Sequence, residues 1–274
     1  MKIFATSKIV LLMGLFFLYI PLLVLILFSF SDSSIINIWG GFTLKWYQIL
    51  LQDSDIINAT LISLEVGLIA SFCATILGTI VAYVITRFRK FRRKNFLYGM
   101  VITPLVLPDV VLGISLLLMF TSLQNILGWP SGRGLLTIVI AHITFCSAYV
   151  AIMMQARIVS VDRTIEEAAM DLGARPAKTF FYITLPQMIP SLIASFLLAF
   201  TLSIDDLVIT EFVAGSRDPT LPMYIYSTVK NGPTPEINAL ATIMIAIITL
   251  SIIIGGYLLL QMERNKKNRQ KNFS

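Results

Sequence analysis

The sequence predicts an all-α integral membrane protein with six transmembrane helices, and three observations carry that expectation. Of its 274 residues, 57% are hydrophobic and only 13% charged, with a mean hydropathy of +0.83; soluble domains carry roughly 25% charged residues. Six apolar stretches reach the ~20 residues a helix needs to cross a bilayer: 9–30, 57–86, 96–123, 135–155, 188–210 and 237–262. Lysine and arginine fall only in the connections, never inside a span. Nothing of length is left for a soluble domain, so residues 1–274 read as one transmembrane domain.

The same basic residues orient the chain. The first stretch reads as a retained span, because it is long and no small-x-small cleavage site follows in Ser29–Ser34. Lys2 and Lys8 precede it, six basic residues (Arg87, Arg89, Lys90, Arg92, Arg93, Lys94) join the second and third stretches, and four (Arg157, Arg163, Arg175, Lys178) join the fourth and fifth. Five more (Arg264, Lys266, Lys267, Arg269, Lys271) lie in the tail, which gives seventeen on one side against four (Lys45, Arg133, Arg217, Lys230) on the other. The positive-inside bias places both termini in the cytoplasm. The net charge of +6 therefore reports topology and implies no nucleic-acid partner.

Taken in order, the external connection Ser31–Asp55 is polar with Trp39, Phe42, Trp46 and Tyr47, residues that favour the headgroup layer, and a short surface helix is expected around Leu44–Leu51. Glu65 lies about two turns into the second span, facing either outward or into the bundle. The third and fifth spans open alike, with prolines four apart (Pro104/Pro108 and Pro186/Pro190). Proline frees carbonyls and kinks a helix, which is tolerated where protein or water surrounds it. Gly128-Trp129-Pro130-Ser131-Gly132 makes a tight external turn. His142 reads as a residue tied to a neighbouring helix, with a proton relay as the rarer alternative. Cys73 and Cys146 lie inside spans and read as packing residues. A second short helix is expected at Leu221–Val229. Pro233 and Pro235 set the start of the last span, and the tail is basic and polar.

The longest polar interruption on the basic side is the loop 158–187, whose centre runs from Glu167 to Pro186. It reads as two short helices and a turn. Asp162 or Thr164 can cap the first, and Thr164-x-x-Glu167 has the form of a capping box. Ile165, Ala168, Ala169 and Leu172 fall on one narrow stripe. Gly173 supplies a left-handed stop, and Pro176 suits the start of the second helix. Glu167-Ala168-Ala169, three residues, Gly173, nine residues and Ile183-x-Leu185-Pro186 resemble the EAA signature of ATP-binding-cassette importer permeases. That resemblance implies the type I importer permease fold, with a coupling helix at Glu167, Ala168, Ala169, Leu172 and Gly173 that docks into a cytoplasmic ATPase.

No Walker-type phosphate loop occurs, nor H-E-x-x-H or G-x-S-x-G, and His and Cys do not fall at metal-ligand spacing. No catalytic residue, metal or cofactor is expected in this chain, and ATP hydrolysis belongs to a separate subunit. The chemistry left is a set of carboxylates at membrane depth. Asp109 lies ~20 Å into the third span at 1.5 Å per residue. Asp205 and Asp206 lie in the outer half of the fifth, which Glu211 closes. Each such acid costs roughly 2.5–3.5 kcal/mol near mid-membrane. With no Lys or Arg in the spans, the acids are protonated, or face water, or meet a positive charge from elsewhere. One reading has them tie helices together through Ser or Thr hydroxyls; the other has them line a path for a cation. An oxyanion permease would offer Arg, Lys or helix N-termini, whereas acids suit an amine, and two separated acidic stations suit a diammonium chain.

Pro108-Asp109-Val110, the run Thr201–Ile209, Thr220-Leu221-Pro222 and the run Pro235–Thr242 look like the polyamine importers. Gly128-Trp129-Pro130 followed by Arg133-Gly134-x-Leu136-Thr137 is closer to putrescine permeases than to spermidine permeases. The resemblance implies a bacterial inner-membrane permease working with a homologous but unlike permease, two ATP-binding subunits and a periplasmic polyamine-binding protein. Its path residues would correspond to Asp109, Asp205 and Asp206. Two alternatives stay open: the same fold carrying spermidine or another cation such as ferric ion, and an intramembrane enzyme using Asp109 and His142.

Overall fold

Apolar runs of this length leave the backbone no solvent to bond, so each must satisfy its own peptide groups as a helix. The computed structural model bears this out. It describes residues 2–35, 38–88, 92–215, 218–232, 234–250, 253 and 257. In chain order the helices are α1 (Lys2–Phe28), α2 (Lys45–Gln52), α3 (Ser54–Arg87), α4 (Lys94–Val106), α5 (Asp109–Leu127), α6 (Leu135–Ser160), α7 (Arg163–Asp171) and α8 (Pro176–Thr179). A π-helical turn, Phe180–Thr184, joins α8 to α9 (Leu185–Ile204), and α10 (Val208–Val213), α11 (Leu221–Asn231) and α12 (Pro235–Leu250) follow.

Among the described residues, five helices are long and apolar enough to cross a membrane: Val10–Phe28, Ser54–Arg87, Asp109–Leu127, Leu135–Ser160 and Pro176–Ile204. The sixth, expected at 237–262, is a helix over Pro235–Leu250. Its remainder apart from Ile253 and Tyr257, the basic residues of the tail, Arg89, Lys90, Arg217 and Pro233 lie outside the described residues. The expected short helices at Leu44–Leu51 and Leu221–Val229 are α2 and α11.

The chain groups into two compact units. The first comprises residues 1–54 and 227–274. In it the connection after α1 folds around Ser31, which bridges to Phe42 and whose hydroxyl donates to Ile38 O at 2.8 Å. The Trp46 indole donates to Ser31 O at 2.7 Å, Tyr47 and Ser29 hydroxyls meet at 2.7 Å, and Lys45 pairs with Asp32. The second unit, residues 55–226, holds every candidate site residue. Its core is α6, from which Ile138, Val150, Met154 and Ile158 are buried together with Val66, Leu116, Met188 and Ile209. Small residues let the helices close in: Cys146 on α6 lies 3.5 Å from Ala199 O on α9, and a Cβ on Gly78 of α3 would stand 2.7 Å from Val150 Cβ and 2.8 Å from Ser147 O. Cys146 is thus the packing residue expected; Cys73 is half-buried, and both are free thiols.

Two spans differ from expectation. The third, expected as one proline-kinked span over 96–123, is two helices separated at Leu107–Pro108. The Leu107 N–H still reaches Thr103 O at 3.1 Å, but Pro108 has no N–H to offer and forces its predecessor into extended backbone (ψ 138°). The fifth, expected over 188–210, runs earlier, from Pro176 to Ile204, and stops at Asp205. There the Asp206 carboxylate captures the N–H groups of Ile209 and Thr210 (3.4 and 2.8 Å) and starts α10 as a separate helix.

In the loop 158–187 the capping box expected at Thr164 does not form. Asp162 is the cap, accepting the Thr164 N–H at 2.9 Å, and those bonds to Thr164 hold its carboxyl below the usual carboxylate range. Glu167 instead pairs with Arg163 at 2.9 Å, one helical turn back. The stop at Gly173 is as expected: φ is +88°, Gly173 N–H bonds Met170 O at 2.9 Å and Ala174 N–H bonds Ala169 O at 3.0 Å, the paired Schellman closure.

Candidate functional site

The two helix breaks face each other, because α10 packs along α5, with Gly113 of α5 so close that a Cβ there would lie 2.5 Å from the Phe212 ring. Between them and α6 is a cavity of about 320 Å³ lined by Asp109, Asp205 and Asp206 together with Pro104, Phe145 and Tyr149. The three aspartates singled out in the sequence therefore share one cavity. Asp109 stands in the first turn of α5 directly after the Pro108 break, with an exposed side chain. Asp205 closes α9, its N–H bonded to Thr201 O at 3.2 Å and its side chain exposed. No side chain among the described residues reaches either carboxylate.

Asp206 differs. Its side chain is 10% exposed, and its Oδ2 accepts from the Thr210 N–H (2.8 Å) and the Thr210 hydroxyl (2.7 Å). His142 Nε2 lies 3.4 Å from the same oxygen. The sequence contains no Lys or Arg in the spans, but this buried imidazole is the polar partner that a count of strong cations overlooks. His142 uses both ring nitrogens: Nδ1 meets Ser203 Oγ of α9 at 2.6 Å, and Nε2 meets Thr210 Oγ1 of α10 at 2.9 Å. The expectation that His142 ties neighbouring helices together is met, and it neighbours Asp206 rather than Asp109. Phe145 stacks edge-on against His142, with centroids 5.3 Å apart, and also lines the cavity.

Phe145 and Tyr149 were not singled out from the sequence. They lie four apart on α6, so one face of that helix gives the cavity an aromatic wall. Carboxylates beside aromatic faces suit an ammonium group, which the acid attracts by charge and the ring by its quadrupole. Among the described residues no three His, Cys, Asp or Glu side chains converge as a metal ion would require. Glu65, left between two orientations, is exposed on α3 and lies away from this cavity's lining.

The second candidate site is the loop element. Ile165 (46%) and Leu172 (90%) are exposed apolar side chains, Ala168 is exposed and Ala169 half-buried, so the stripe expected on α7 stands open. Ala169, Leu172 and Gly173 line a concavity with Ala174, Arg175 and Lys178. Glu167 is 55% exposed on the same helix. The buried acid is its neighbour Glu166, which pairs with Arg87 at the end of α3 (2.8 Å) and accepts from Thr184 before α9 (2.9 Å). The pattern had no signal that would single out Glu166.

Comparison with known proteins follows the same lines. Residues 74–267 match the family of binding-protein-dependent transport system inner membrane components. The chain is 48% identical over 94% of its length, and 92% of the relative's, to the putrescine transport system permease protein PotI of Escherichia coli. It is 39% identical over 89% of both chains to the spermidine/putrescine transport system permease protein PotC of the same organism. Among solved structures, a bacterial ABC transporter that imports the acidic polysaccharide alginate superposes with a TM-score of 0.73 at 17% identity, covering 94% of both chains. The MetNI methionine ABC transporter superposes with a TM-score of 0.61 at 14% identity, covering 80% of this chain and 98% of that one.

Proposed function

The chain belongs to the binding-protein-dependent transport system inner membrane components, with the type I ABC importer permease fold, and on that premise we propose that it forms half of the translocation path of an ATP-driven polyamine importer whose cargo is putrescine. The observation that carries the cargo is the cavity in which exposed Asp109 and Asp205 stand against Tyr149 and Phe145. The alginate importer shares the fold while moving an acidic polymer, so the fold leaves the cargo open and the lining must choose it. Two acids from different helices lining one partly aromatic space suit a short chain with an ammonium at each end. The names of the relatives, putrescine and spermidine/putrescine permeases, support the same class.

In this reading the chain is a multi-pass protein of the bacterial inner membrane, and the basic bias puts both termini in the cytoplasm. It pairs with a homologous, unlike permease, docks one of two ATP-binding subunits through Glu167–Pro186, and receives cargo from a periplasmic polyamine-binding protein. One solved neighbour, the alginate transporter bound to its periplasmic protein, gives precedent for the last partner within the fold. ATP binding would draw the two docking elements together and shift the spans between inward-open and outward-open states, each ligand acting through its different affinity for the two. The chain carries no cofactor and makes no covalent bond.

The test is a cargo panel. The complete assembly in liposomes is given its binding protein and, in turn, putrescine, spermidine, ferric ion and sulfate, with ATP hydrolysis and uptake measured together. Putrescine is expected to raise both. Stimulation by ferric ion or sulfate with none by either polyamine would overturn the cargo assignment.

A further inference from the structure

Two adjacent aspartates at a helix break look interchangeable in the sequence, and the surroundings of their carboxylates make them unlike. We propose that Asp205 and Asp206 divide the work: Asp205, with Asp109, meets the cargo, whereas Asp206 meets none and, held by His142, fixes the break that presents Asp205. This rests on the polyamine reading above.

A carboxylate offers about four acceptor sites across its two oxygens. Asp206 commits Oδ2 to the Thr210 N–H and hydroxyl at 2.8 and 2.7 Å, with His142 Nε2 at 3.4 Å, and turns Oδ1 toward the Ile209 N–H at 3.4 Å. Cargo would have to displace donors that also begin α10. Asp205 has no such donors and is exposed in the same cavity.

His142 is the positioning residue. It is 1% exposed on α6 and does not line the cavity, yet it bonds Ser203 before the break and Thr210 after it. With the ring proton on Nε2, donation runs one way, from the Ser203 hydroxyl to Nδ1, from Nε2–H to Thr210 Oγ1, and from the Thr210 hydroxyl to Asp206 Oδ2. Every member of that chain is satisfied, which is what a buried polar network needs in order to specify one geometry.

The experiment is radiolabelled putrescine uptake by the complete reconstituted assembly, with KM and maximal rate determined separately and assembly checked by co-purification. Asp205→Asn is expected to raise KM about tenfold or more, the loss of one charged contact. Asp206→Asn keeps an oxygen for the Thr210 N–H, so KM should stay within about twofold of wild type while the maximal rate falls. His142→Leu should lower the maximal rate, and His142→Gln, which can bond both hydroxyls, should restore most of it. A KM rise in Asp206→Asn equal to that in Asp205→Asn overturns the division, as does an unchanged rate in His142→Leu. If Asp206→Asn does not assemble, Thr210→Val takes its place, because it removes the hydroxyl that draws Asp206 inward. A fall in maximal rate at near-wild-type KM then supports the division, and a KM rise equal to that of Asp205→Asn overturns it. A wild-type assembly that takes up no diamine removes the cargo reading and the division with it. Wild-type uptake with two equivalent aspartates removes only the division.

Discussion

Asp109 and Asp205 line one cavity from two different helices, each at a helix end, exposed and unmatched by any side chain among the described residues. Replacing Asp109 by Asn keeps the size and removes the charge. Uptake of putrescine at low concentration should fall about 10- to 100-fold, the range of a lost charged hydrogen bond, with the protein still assembled; a flux assay at fixed protein in the membrane checks it. The sequence made these two acids visible because ionised side chains in apolar runs are expensive and need a reason. The partner of Asp206 was not visible. His142 sits on another helix, Thr210 forms part of the next, and nothing in a linear pattern says which polar residues of separate spans meet. The same blindness hid Tyr149 and Phe145, whose aromatic side chains read as ordinary membrane packing until the cavity drew them together.

The loop element separates two neighbouring glutamates in the same way. Glu167 is exposed and paired with the exposed Arg163 one turn back, and, if the loop docks an ATPase as proposed, Glu167→Lys is expected to abolish coupled uptake while the chain remains in the membrane. Normal uptake by that variant would count against docking there. Glu166 is locked to Arg87 and Thr184 and joins the loop to the ends of α3 and α9. Breaking such a pair from one side strands a buried charge at about 3–5 kcal/mol. Arg87→Met should therefore lower the thermal midpoint of the purified protein more than Glu167→Gln, which removes only an exposed pair to Arg163. Gly173 closes α7 at φ +88°, where a side chain is strained whatever the space, and Gly173→Val is expected to misplace Ala174 and Arg175 and weaken ATPase co-purification. The stop at Gly173 and the short helices were legible because turn chemistry is local. The choice of Asp162 over Thr164 as cap was not, since either residue can accept the N–H groups two or three positions beyond it and only the backbone geometry decides where the helix starts.

At the scale of the molecule, the six apolar stretches predicted the helices and their order, and prolines marked where a span could break. The consequence of those breaks was out of reach of the pattern. Pro108 splits the third span, Asp206 splits the fifth, and the two gaps face one cavity. Interrupted helices at a binding site are a general feature of membrane transporters, because irregular backbone is tolerated only where it lines protein or water. Here the gaps bring Asp109, Asp205 and Asp206 to one cavity. The most direct measurement is putrescine uptake by the reconstituted assembly carrying Asp109→Asn and Asp205→Asn together, beside its basal ATP hydrolysis. Uptake should disappear while basal hydrolysis and assembly stay at wild-type level. Uptake at the wild-type rate would mean that the acids serve structure alone and that the cavity is not the cargo's path.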